Sequence, residues 1–85
     1  MFYVYILRSI DHPKQTYIGS TSDLRKRLAE HNSGRSVHTN KFKSWEVLAY
    51  IALPDKPLAE RFERYLKTGS GRGFTIRHLM PLPGK

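Results

Sequence analysis

The chain has 85 residues, of which 39% are hydrophobic, 12% aromatic and 26% charged, with no cysteine. That length fits one small core, the composition is too apolar for a disordered tail, and stability must come from packing without disulfides. Fifteen Lys and Arg against seven Asp and Glu give a formal charge of +8, which points to a polyanionic partner, with neither a basic amphipathic membrane-binding helix nor an apolar spanning run beside it.

Phe2 to Leu7 is a continuous apolar run rich in Tyr, Val and Ile and reads as a strand buried on both faces. Asp11, His12 and Pro13 supply turn chemistry, and Thr16 to Gly19 resumes the strand pattern, so a hairpin is expected. Ser20 to Asp23 offers several N-cap oxygens before a first helix over Leu24 to His31, which Asn32 and Gly34 stop. Asn32 to Ser44 is polar and basic without a carboxylate, and reads as a mobile surface loop. A third strand follows from Trp45 to Leu53. Pro54 to Pro57 then turns into a second helix, in which Leu58, Phe62, Tyr65 and Leu66 recur at helical spacing. Thr68-Gly69-Ser70-Gly71 reads as its end, and Phe74, Ile76, Leu79 and Met80 form a short helix or tail before Pro81 and Pro83. The order β-β-α-β-α plus this tail predicts an α+β domain over 1–85, with a core of about 2–68 and a basic extension over 69–85. With no secretory signature and no membrane span, the expected compartment is the cytosol.

Three features resist a purely structural reading. At about 100° per residue, Arg27 and His31 fall within about 60° of Leu24, on the apolar face of the first helix. An Arg is costly to bury unless it is paired or borders a polar cleft, so both should border a site; alternatively, the Arg27 stem covers Leu24 as a flank charge. In the second helix Glu63 lies at the edge of the buried stripe, with small Ala59 one turn earlier; on spacing alone a surface ion pair with Lys67 at i+4 is the favoured explanation. Tyr3, Tyr5 and Tyr17 crowd the two hairpin strands, either as core or with Tyr5 projecting its hydroxyl into a cleft.

Val4-Tyr5-Ile6, then Tyr17-Ile18-Gly19, then Leu24 to Leu28 with Glu30-His31-Asn32, and finally Ala59 to Glu63 resemble, in order and spacing, the GIY-YIG nuclease domain in its compact form. The resemblance runs from about Phe2 to Lys67 and implies a small three-stranded, largely antiparallel sheet flanked by helices. It also implies a divalent-metal phosphodiesterase site acting on DNA. Carried over, Tyr5 and Tyr17 match the tyrosines of the two name blocks, Arg27 and His31 the helix Arg and the His one turn on, and Glu63 the metal-binding carboxylate. Tyr3 stands where Gly is usual, and no Asn follows Glu63, so Lys67 or Ser70 is expected to complete the site. The implied ion is Mg²⁺ or Mn²⁺, since hard cations take oxygen ligands.

The four histidines, His12, His31, His38 and His78, match no paired zinc-ligand spacing, and thiolates are absent. His38 and Thr39 in the basic loop are candidates for substrate contact. Arg35, Lys41, Lys43, Lys67, Arg72 and Arg77 read together as phosphate contacts, which position nucleic acid without specifying its sequence. Two other classes fit the same charge: a non-catalytic nucleic-acid-binding module with stacking aromatics, and an RNA- or ribosome-associated adaptor.

Overall fold

The structure is a computed structural model and describes residues 1–35 and 39–80. The elements are β1 (Phe2–Ser9), β2 (Thr16–Thr21), α1 (Leu24–Asn32), β3 (Trp45–Leu53), α2 (Lys56–Leu66) and α3 (Gly69–His78), with a short 3₁₀ turn at Asn40–Phe42. The three strands form one antiparallel sheet in the order β2-β1-β3, so the α+β architecture is the expected one. The most apolar strand, β1, takes the centre, where both of its faces are covered. Side-chain alternation then builds two apolar layers. Val4 and Ile6 pack with Ala59 and Leu66 of α2, joined by Ile18, Phe62 and Phe74. Tyr5 and Leu7 pack with Trp45 on the opposite face, against Leu24 and Leu28 of α1.

Asp23 caps α1 by accepting from the Lys26 backbone N–H (3.1 Å), and Asp55 caps α2 through Leu58 (2.9 Å). Among the described residues no helix is long and apolar enough to cross a membrane.

Two segments differ from the sequence reading. The expected short helix or tail is a helix, and it starts earlier than read: Thr68 accepts from the Gly71 N–H (3.1 Å) and caps α3, a helix of ten residues. The glycine is there for proximity, because a Cβ on Gly71 would lie 2.5 Å from the Leu66 Cα. The described part of the basic loop is also pinned. The Trp45 indole donates to the Thr39 carbonyl (2.9 Å), the Ser9 hydroxyl to the Phe42 carbonyl (2.7 Å), and the Asn32 amide to the Trp45 carbonyl (3.0 Å). A buried indole needs an acceptor, and the loop supplies it. Pro81 and Pro83 lie outside the described residues.

Candidate active site

Tyr5 comes from the middle of β1 and is only 1% exposed. Its register partner on the edge strand β2 is Gly19. A Cβ at Gly19 would stand 2.7 Å from the Tyr5 Cζ, so the phenol lies across β2 only because that position has no side chain. The Tyr5 hydroxyl meets His31 Nε2 at 3.0 Å, and His31 Nδ1 meets Thr39 Oγ1 at 2.7 Å. Tyr17, two residues before Gly19 on the same face, brings its ring to 5.0 Å from the imidazole and 6.5 Å from the Tyr5 ring. One hairpin, one helix and one loop residue thus meet in a single polar cluster inside an apolar layer.

His31 is fully buried, deeper than the border position its helical phase predicts. Burial lowers its pKa below the ordinary 6.5, and the Arg27 charge lowers it further, so the ring is neutral at pH 7 with both nitrogens satisfied. Thr39, a candidate for substrate contact by sequence, is fully buried here, with its hydroxyl bonded to His31.

Arg27 keeps about a third of its side chain exposed and donates from Nη1 to Glu30 Oε1 (3.1 Å). Burial raises the Tyr5 pKa above 10, and the Arg27 guanidinium opposes that rise through a hydrogen bond and its charge. The same contact, followed by Glu30, holds Arg27 firmly protonated. A guanidinium has only donors, so beside Arg27 the phenolic oxygen is an acceptor, while the direction of its bond with His31 Nε2 follows the imidazole tautomer. When Tyr5 donates to Nε2, the imidazole proton sits on Nδ1, facing Thr39.

Glu63 approaches from α2, on the other face of the sheet. Its Oε1 accepts from the Ser20 hydroxyl at 2.6 Å and its Oε2 from the Lys67 ammonium at 2.8 Å. Burial raises its pKa, but Lys67 and Ser20 outweigh that and bring it below 4.5, so the carboxylate is ionised. The expected i,i+4 pair with Lys67 therefore forms, and so does a contact with β2 that the sequence reading missed. Ser20 follows Gly19 and faces the opposite side of β2, so the strand presents an open position to one face and an anchored carboxylate to the other. The negative charge of Glu63 still reaches the Tyr5 hydroxyl, whose pKa it helps to raise. Gly19 and Ser20 are thus consecutive residues of one edge strand, the first open to Tyr5 and the second bound to Glu63.

No group of three or more His, Asp or Glu side chains able to hold a metal occurs among the described residues. Glu63 is a single ionised oxygen ligand with 21% of its side chain exposed. That fits a hard ion keeping most of its water, such as Mg²⁺ or Mn²⁺, and not an ion caged by protein. Lys67 occupies one carboxylate oxygen, but its own side chain is 52% exposed and free to withdraw. Ser70, the other residue expected to complete the site, is exposed at the start of α3. Arg35, Lys41, Lys43, Arg72 and Arg77 are all exposed, with Lys41 lying 5.4 Å over the Phe42 ring and Arg77 turned back to the Gly73 carbonyl (3.3 Å). His38 lies outside the described residues.

Apolar side chains would fill this volume at lower cost than a buried phenol and imidazole, and a protonated guanidinium beside them adds nothing to packing. The grouping is that of a small catalytic domain. Comparison with known proteins agrees: the GIY-YIG catalytic domain matches residues 1–76, and the chain belongs to this family. It is 40% identical over 71 residues to the structure-specific endonuclease subunit SLX1 of Debaryomyces hansenii, covering 75% of this chain and 20% of that protein. The chain thus spans about a fifth of that relative's length. A UPF0213 protein of Streptococcus pyogenes serotype M3 is 38% identical over 78 residues, covering 91% of this chain and 83% of the relative. The solution structure of a UPF0213 protein from Bacillus halodurans superposes with a TM-score of 0.53 at 30% identity, over 91% of this chain and 84% of that one.

Proposed function

We propose that this protein is a metal-dependent endonuclease that hydrolyses phosphodiester bonds in DNA, in the cytosol, as one functional unit over residues 1–85. The observation that carries the reading is the Tyr5–His31 hydrogen bond laid across Gly19, with the protonated Arg27 at the same phenolic oxygen. An attacking water loses its proton to the Tyr5 oxygen as Tyr5 passes its own proton to His31 Nε2, and Thr39 holds the imidazole in the receiving tautomer. A phenol with an ordinary pKa near 10 is a weak base at pH 7, so this relay lets the more basic imidazole be the final acceptor. Arg27 stabilises charge on the phosphoryl oxygens, where a planar guanidinium matches phosphate better than an ammonium. Tyr17 packs the imidazole from its other side and keeps bulk water from it.

Glu63, held by Ser20, is the ligand for Mg²⁺ or Mn²⁺, with Lys67 withdrawing from it on loading. Such an ion, when bound, neutralises charge at the scissile phosphate and the leaving oxygen. Arg35, His38, Lys41, Lys43, Lys67, Arg72 and Arg77 serve as phosphate contacts. After Glu63 the sequence carries five Lys and Arg and no acidic residue, so the C-terminal segment extends the binding surface. The similarity to SLX1, by name a structure-specific endonuclease subunit, favours branched or discontinuous DNA as substrate. The test is a cleavage panel of single-stranded, duplex, flapped and nicked DNA with RNA counterparts, in Mg²⁺, Mn²⁺ or EDTA. Ion-dependent internal cuts in DNA are expected; an inert protein across the panel removes the assignment.

A further inference from the structure

A groove of about 520 Å³ runs beside β2, closed on its far side by α3. Three cations, Lys14, Lys67 and Arg72, line it together with polar Gln15 and apolar Ile18, Ile76 and Met80, and no carboxylate is among its described lining residues. Two residues tie it to the candidate active site. Tyr17 lines the groove and also packs against His31, and Lys67 lines it and also holds Glu63. Ile76 is 65% exposed although it is large and apolar, so α3 offers a hydrophobic surface to the groove that the fold itself does not cover.

A lining of cations and apolar side chains matches one part of a nucleic acid: a phosphate with its base turned out of the stack. Duplex DNA meets the cations equally well, but its base faces are stacked on one another and cannot reach the apolar side chains. The volume lies in the range of about 300–1,000 Å³ that suits small organic ligands, enough for a nucleotide. We propose that this groove binds an unpaired nucleotide of the strand being cut, next to the scissile phosphate. Its phosphate sits between Arg72 and Lys14, and its base lies on Ile18, Ile76 and Met80 with Tyr17 at the inner end. The inference rests on the nuclease reading above and adds to it a preference for strands that are unpaired beside the cut. The free edge of β2 is the other recognition surface here, open to an added peptide strand. Three cations against the single carboxylate that neighbours them, Glu63 on Lys67, favour the polyanion.

The test is metal-free fluorescence anisotropy in EDTA at fixed salt, comparing a labelled single-stranded oligonucleotide with the same sequence as blunt duplex. Wild type is compared with Ile76→Ala and Ile76→Lys, whose folding is checked by thermal melting. Wild type should bind the single strand about fivefold or more tighter than the duplex, in line with the affinity that base contacts add. Ile76→Ala should bring that ratio close to unity, and Ile76→Lys should do the same even though its added charge strengthens duplex binding. A wild-type ratio of one, or a ratio unchanged in both variants, overturns the proposal. Because the binding assay contains no metal, it separates the two readings. Cleavage with no single-strand preference removes the groove and leaves the nuclease, and a preference that depends on Ile76 in a protein that never cleaves keeps the groove and removes the nuclease.

Discussion

Gly19 decides whether the Tyr5 phenol can cross the edge strand, because the Cβ of any other residue would fall 2.7 Å from the Tyr5 Cζ. Gly19→Ala should therefore displace the ring, lowering stability by about 1–3 kcal/mol in a denaturant melt, as overpacked sites do. Tyr5→Phe keeps the ring and removes the proton route, so kcat should fall by about 10²–10⁴-fold, the usual contribution of a positioned acid or base. His31 adds a pH signature. Its folded pKa is depressed below 6.5 by burial and then by Arg27, so the neutral ring persists to lower pH than in the unfolded chain. Activity should therefore hold at neutral pH and fall on the acid side of 6.5 as pH drops through the depressed pKa. The stability contribution has the same sign: it is present above 6.5 and is lost as pH falls through the folded pKa, because the unfolded histidine takes up its proton first. Arg27→Gln removes the second of the two lowering influences, and an NMR titration of the His31 ring should show its pKa moving up toward 6.5.

Elements place these groups, and the sequence revealed them unevenly. β1 was legible because a strand apolar on both faces has few places to go except the centre of a sheet. The helical phase of Arg27 and His31 marked the right face of α1, although it could not set the depth of His31, which depends on Thr39 arriving from a loop. The burial of Thr39 has a physical reason hidden from the sequence: a threonine in a basic loop carries the composition of a solvated segment, and the Trp45 indole at its carbonyl and His31 at its hydroxyl draw it inside. Ser20 was open to discovery by strand alternation, since it follows a glycine that faces the site. α3 was obscured because Gly69, Gly71 and Gly73 lower helix propensity, and the close approach to Leu66 that makes Gly71 necessary is invisible without coordinates. Gly71→Ala should push α3 off α2, with a loss of helical circular dichroism and about 1–3 kcal/mol of stability, because its Cβ meets rigid backbone. Thr39→Val keeps the shape but leaves His31 Nδ1 without its partner, an expected loss of about 1–3 kcal/mol seen in denaturant melts.

At the scale of the whole molecule, the sheet separates two half-sites and its edge joins them. The phenol, imidazole and guanidinium belong to the α1 layer, whereas the carboxylate belongs to the α2 layer; consecutive residues of β2, Gly19 and Ser20, border the phenol and the carboxylate. The net charge of +8 favours a polyanion, so DNA affinity should fall steeply with salt, with log K declining linearly in log salt at about 0.7–0.9 per phosphate contacted. The most direct measurement is single-turnover cleavage alongside binding, for wild type and Glu63→Gln, with Mg²⁺ and Mn²⁺ supplied separately. Wild type should cut DNA only with a divalent ion, while Glu63→Gln should bind the same DNA with similar affinity and leave it intact. Cleavage at undiminished rate by Glu63→Gln, or by wild type in EDTA, would contradict the assignment of this carboxylate and with it the joined site.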